Sequence, residues 1–315
     1  MKRILIFASA AIVALASCAK TEVVYKDAPQ EIAFKQITGA MTKTLVDLDA
    51  NMGVFAYTVD TPAEYFDNIL FANDGSGIWK ASPAMFYPIQ GALDFAYYSP
   101  HASGWTFNGS TTLKSPALAD IKDTDVLYGK TIATSPKTDA ALNVVLAHAL
   151  AQVTVNVTTD EASKGYITIT EVTLSDTHLG GTLTVTYDAK AASNAVWAAD
   201  AASSLIWTSN VLLDSSTDPI PYGQNYIIAD YGSGTTYEQG TLTVSYSMDK
   251  NGAGAGTETY AGTATFDLST DDSKAYWNMG NNYIYNIKAT LTEITFDADV
   301  EKFVDTPTDG TPVVL

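Results

Sequence analysis

The sequence predicts an all-β protein built as two tandem β-sandwiches. Strand-favouring residues are abundant, with 18 Tyr and 11 Phe in 315 residues, and aromatic and β-branched side chains suit a half-buried pleated surface. Short runs of alternating polarity recur, broken by Gly, Asn, Asp and Pro. No long stretch shows helical periodicity. The length suits two domains, and a hydrophobic fraction of 46% supplies each with a core.

The chain opens with an address. Lys2 and Arg3 precede an apolar run from Ile4 to Leu15, which is too short for an ordinary spanning helix. The run closes on Leu15-Ala16-Ser17-Cys18, which resembles the bacterial lipobox. Residues 1–17 are expected to be a signal peptide, Cys18 the acylated residue, and 18–30 a polar tether. Cys18 is the single cysteine, so stability must come from packing and ladders, and no thiol is left for catalysis or a metal site.

Strands are expected in the first half near 31–37, 52–59, 68–72, 84–88, 92–98, 104–107 and 125–132. The polar stretch 135–140, with Pro136, is expected to connect two sandwiches, 31–140 and 141–297. In the second half strands are expected near 143–158, 166–175, 181–187, 222–230, 238–248, 258–267 and 282–297. Thr182-Leu183-Thr184-Val185-Thr186 alternates cleanly, so it can bury one face and wet the other. Asp249-Lys250-Asn251-Gly252 is expected to form a hairpin turn. The Ala-rich stretch 189–202 is expected to be a loop with one or two helical turns. Residues 298–315 are expected to form a tail.

The formal net charge of −18 repels phosphate backbones, so nucleic acid is excluded as a partner. No catalytic constellation stands out. His101, His148 and His178 lack metal-ligand spacing, and GxSxG and P-loop motifs are missing. His148, among Ala and Leu, is expected to be a core histidine with a hydrogen-bond partner. Asp120, Asp123 and Asp125 are expected to be solvated loop carboxylates rather than calcium ligands. The expectation is a protein without enzymatic activity, metal or cofactor.

Several blocks, in order, resemble the fimbrillin family of Bacteroidetes, with its FimA-like and Mfa-like fimbrial subunits. They are Ile32-Ala33-Phe34 with Thr42-Lys43-Thr44, Met52 to Tyr57, Trp79 to Pro100, Asp125 to Gly129, and Leu146 to Val153. Trp277 to Gly280, Tyr283-Ile284-Tyr285 and Ile294-Thr295-Phe296 complete the set. The resemblance implies transthyretin-like sandwiches and a lipoprotein that reaches the outer surface. It implies cleavage after a basic residue that follows the first strand. Loss of that strand leaves a groove, which a neighbouring subunit fills with a donor strand.

Arg3 is the one arginine, so processing must use lysine. Lys43 matches the family position and Lys35 is the second choice. Donor-strand candidates are Phe303, Val304, Val313, Val314 and Leu315, because an apolar terminus is unusual for a solvated tail. The implied partners are other fimbrial subunits, the outer membrane through the lipid, and a host or bacterial surface ligand. The competing reading is a monomeric surface lipoprotein that binds glycan or host protein.

Overall fold

The computed structural model describes residues 30–36, 51–134, 141–188, 191–216, 218–229, 239–252, 259–270 and 276–302. Apart from two three-residue 3-10 turns, Ile121–Asp123 and Leu268–Thr270, the regular structure of the described residues is all strand, an all-β sandwich fold. The first half supplies β1 (Ala33–Gln36), β2 (Met52–Thr58), β3 (Glu64–Asn73), β4 (Ile78–Ala81), β5 (Ala92–Ser99), β6 (Thr106–Phe107), β7 (Thr112–Lys114) and β8 (Leu127–Thr134). Then come β9 (Leu142–Val144), β10 (Ala147–His148), β11 (Leu150–Thr159), β12 (Ile167–Thr177), β13 (Gly181–Asp188) and β14 (Ala191–Ala199). The chain continues through β15 (Ser203–Leu212), β16 (Ile220–Ile228), β17 (Thr241–Asp249), β18 (Thr259–Asp267), β19 (Asn281–Ala289) and β20 (Ile294–Lys302).

One eight-stranded sheet runs β10-β8-β5-β2-β3-β4-β1-β9. It folds over on itself. Phe34 of β1 meets Phe95 of β5 with ring centroids 5.3 Å apart, although β2, β3 and β4 separate them in the sheet order. Ile32, Phe34, Val54, Phe71, Trp79, Phe95 and Tyr97 fill the inside of this fold. Three four-stranded sheets follow: β16-β11-β19-β20, β15-β12-β17-β18 and β14-β13-β7-β6. Their core joins Val153, Ile169, Leu183, Val244 and Tyr285 to Phe55, Tyr98, Trp105 and Phe107 of the first half. β5 is therefore buried on both faces.

Several expectations need correction. No strand forms over 84–88, apart from a single bridge between Phe86 and Glu31. Pro83 and Pro88 bracket that segment and remove two ladder donors. The stretch 189–202, expected to be a loop with helical turns, holds β14. It alternates: Ala195 and Trp197 are buried while Val196 is exposed, so pairing with β13 overrides the helix preference of alanine. The single strand expected over 143–158 is three pieces, and the one over 282–297 is a hairpin turning at Thr290–Glu293. β4, β7 and β15 fall where no strand was expected. Residues 298–302, assigned to the tail, pair with 281–285 in β20.

Candidate functional site

β1 lies inside the large sheet, not at its edge. It pairs antiparallel with β4 (Ala33 opposite Lys80, Lys35 opposite Ile78) and parallel with β9 (Phe34 opposite Leu142, Gln36 opposite Val144). The backbone before it is also held. Ile32 N–H donates to Met85 O at 2.7 Å, and Tyr87 N–H donates to Gln30 O at 2.9 Å. This explains the missing strand at 84–88, whose backbone serves the entry of β1. Glu31 and Lys80 add an ion pair at 3.3 Å, which at that exposure contributes little.

Alternation along β1 sets which side chains anchor it. Ile32 and Phe34 are fully buried, whereas Lys35 is exposed. Phe34 contacts Phe71 edge-on at 5.0 Å and lies 6.2 Å from Tyr97. Phe66 and Tyr87 extend the aromatic wall through Phe71 and Phe95. β1 is thus a short plug with two apolar pegs, seated in an aromatic slot and laddered on both sides. β9 has β1 as its one ladder partner in the sheet, so whatever occupies the slot also holds β9.

Among the expected site residues, Lys35 sits within β1 with neighbours on both sides. A protease needs the backbone of its substrate free, so Lys35 is shielded while β1 is seated. Cys18, Lys43, Phe303, Val304, Val313, Val314 and Leu315 lie outside the described residues.

The loop acids do not converge. Asp120 pairs with Lys122 at 2.6 Å, Asp123 accepts from Asn225 Nδ2 at 3.0 Å, and Asp125 Oδ2 lies 2.7 Å from His148 Nδ1. His148 is buried, the core histidine expected of its neighbours. Among the described residues no group of three or more His, Cys, Asp and Glu could hold a metal ion. No described helix is long and apolar enough to cross a membrane. A recess of about 200 Å³ lined by Trp105, Leu118, Asp120, Ile121 and Thr124 is smaller than the roughly 300 Å³ at which small-molecule pockets begin. Sequence reasoning missed β9 and the 85–87 backbone as walls of the slot. Both belong to segments too short to carry a periodic signal.

The fimbrillin-like family profile matches residues 38–302. Among solved structures, a candidate cell adhesion protein from Bacteroides uniformis aligns with a TM-score of 0.56 at 13% identity, covering 86% of this chain and 98% of that one. A second from Bacteroides ovatus aligns with a TM-score of 0.56 at 12% identity, covering 89% and 99%. A fimbrial protein from Bacteroides vulgatus aligns with a TM-score of 0.53 at 14% identity, covering 87% and 99%. At these identities the likeness is one of fold. No curated protein matches. With the profile spanning most of its length, the chain belongs to the fimbrillin-like family.

Proposed function

We propose that this protein is a structural or accessory subunit of a surface fimbria, exported as a lipoprotein acylated at Cys18 and polymerised by exchange of β1 for a donor strand. The observation that carries the reading is the seating of β1. A plug held by two side chains and two ladders can leave intact and be replaced in kind. The segment 37–50 that follows it contains Lys43. Cleavage there separates β1 from β2, and the plug is then held only by non-covalent contacts.

The slot sets terms for its next occupant. To pair with β4 and β9 as β1 does, a donor must run in the same direction. It must also place apolar side chains two residues apart, where Ile32 and Phe34 now sit. Within 303–315 the pair with that spacing is Val313 and Leu315. A neighbour's tail inserted there gives a head-to-tail contact, which does not close on itself and so builds a filament.

The test is the N-terminal residue of protein sheared from cells. A start at Thr44, lost in Lys43→Gln and kept in Lys35→Gln, supports the proposal. Cys18 retained throughout, with no ladder of polymers on a gel run without full denaturation, overturns it in favour of a monomeric surface binder.

A further inference from the structure

Asparagine followed by glycine is the dipeptide most open to attack on its own side chain. The glycine amide nitrogen lies one ring closure from the asparagine Cγ, and no Cβ screens the approach. The chain holds two such pairs, Asn108-Gly109 and Asn251-Gly252. The fold surrounds them in opposite ways.

Asn108 is clamped. Its Oδ1 accepts from the backbone N–H groups of Ser110, Thr111 and Thr112 at 3.0, 2.8 and 2.9 Å, and its Nδ2 donates to Thr111 Oγ1 at 3.3 Å. Gly109 is buried, and a Cβ built on it would lie 2.6 Å from the Tyr57 ring. To carry Cγ onto the Gly109 nitrogen, the carboxamide must abandon three backbone donors at once.

Asn251 has no such clamp. β17 and β18 pair as far as Asp249 opposite Thr259, and Asn251 lies exposed in the connection beyond them. Its backbone N–H donates to Asp249 Oδ1 at 3.0 Å, but among the described residues no hydrogen bond holds its carboxamide. The Gly252 nitrogen, the attacking atom, donates to Asp249 O at 3.2 Å, the long end of the normal range. Around Gly252 the nearest group is the Tyr166 ring, 3.7 Å from where a Cβ would stand, so the ring closure has room.

We propose that Asn251 is a site of spontaneous covalent modification, deamidation through a succinimide, and that Asn108 is spared by its clamp. The Gly252 nitrogen gives up its proton and bonds to the Asn251 Cγ. The Cγ–Nδ2 bond breaks, and ammonia leaves carrying that proton. Water then opens the ring at either carbonyl, leaving aspartate or isoaspartate. The one co-reactant is water, and loss of ammonia makes the change one-way, so the turn records the age of each copy. Both products set a carboxylate beside Asp249, whose Oδ1 already holds the N–H of residue 251, and like charges there repel. Isoaspartate also adds a carbon to the backbone. The end of the β17–β18 hairpin should loosen as a result. The inference is independent of the fimbrial reading and of the β1 slot.

The test ages the chain from Ala19 onward in neutral buffer at physiological temperature, folded and in denaturant. Cleavage after lysine in mild acid, where ring closure is slow, places the two pairs in separate peptides, 81–114 and 251–274. Deamidation raises the mass of a peptide by about one dalton. In the folded chain Asn251 should react at least ten-fold faster than Asn108, and in denaturant the two rates should converge. Amides of 247–249 and 259–261 should exchange faster in the aged chain. Asn251→Gln, whose longer side chain closes the ring poorly, should keep both its mass and its protection. Equal rates at the two pairs in the folded chain would overturn the proposal, as would an Asn251 that stays intact when folded yet reacts in denaturant. Equal loosening in aged Asn251→Gln would show that the modification does not open the hairpin.

Discussion

Tyr97 and Tyr98 are neighbours in β5 and point to opposite faces of the sheet. Tyr98 stands opposite Gly53, and Tyr97 opposite Gly129. A Cβ on either glycine would collide with the facing ring, so each tyrosine lies flat over a bare stretch of backbone. The pairing gives a physical reason for the Met-Gly-Val-Phe, Tyr-Tyr-Ser-Pro and Val-Leu-Tyr-Gly blocks that carried the family resemblance. It was not legible in the sequence, because the partners lie 45 and 32 positions apart and only the register joins them. Burial pushes Tyr87 and Tyr222 up to about 12, and Tyr97, Tyr187 and Tyr285 are raised as well for the same reason. A raised folded value means stability is present in full below the unfolded value near 10 and is lost as pH climbs through the folded values. The denaturation midpoint should therefore hold steady up to about pH 9.5 and then fall steeply. Absorbance at 295 nm should show exposed tyrosines ionising near pH 10 and the buried ones only as the chain unfolds. Uniform titration near 10 with the fold intact would contradict the burial.

Whether a strand was legible depended on whether its partner lay on the far side of a clean alternation. β2, β5, β12, β13 and β17 alternate or run apolar over seven or more residues, and each falls close to its expected place. β4 and β9 are too short for a pattern, and β14 hides its period behind alanines on both faces. The strand at the centre of the proposed exchange shows both sides of this. Its position was readable from Ile32-Ala33-Phe34, but its place between β4 and β9 was not, since a four-residue strand does not announce its neighbours. That placement gives an element-scale prediction. Phe34→Ala removes the larger peg, and large-to-small changes of this kind cost about 3–5 kcal/mol. Here much of the loss should appear as local release of β1 rather than global unfolding. Hydrogen exchange should speed up at Ala33–Gln36 and at Leu142–Val144, because β9 is laddered to β1. Amides of β8, paired with β5 on the far side of the sheet, should stay protected. Equal acceleration in β8 would mean that the sheet opens as a unit and the plug is not separable.

Across the whole molecule, the two cores meet at one layer. β2, β5 and β8 turn Val54, Phe95, Tyr97 and Leu127 toward the first core, and Phe55, Ala96, Tyr98 and Tyr128 toward the second. Trp105 stacks on Tyr98 with centroids 3.9 Å apart at 13°. β7 pairs with β13, across the stretch 135–140 where the sequence placed a connector. The charged residues of this layer follow the same logic. Asp94 and Lys130 form a 2.6 Å ion pair with side chains 12% and 2% exposed, and the Lys130 ammonium lies 6.0 Å from the Tyr187 ring of β13. Such a pair is tolerable when covered and costly when one member loses its environment. A fragment cut at the expected boundary, residues 31–140, would expose Phe55, Tyr98, Trp105, Phe107 and Tyr128 on one face and leave β7 without β13. It would also lose β9, the outer wall of the slot. Apolar patches of that size mark association, so the fragment should bind a hydrophobic dye, elute as aggregates and lack a cooperative thermal transition. The chain through residue 302 should unfold in a single transition, because neither core keeps its shared wall when the other melts. A monomeric fragment with its own sharp transition would show that the inner face of β5 suffices. In that case the β1 slot could form and exchange before the second half of the chain had folded.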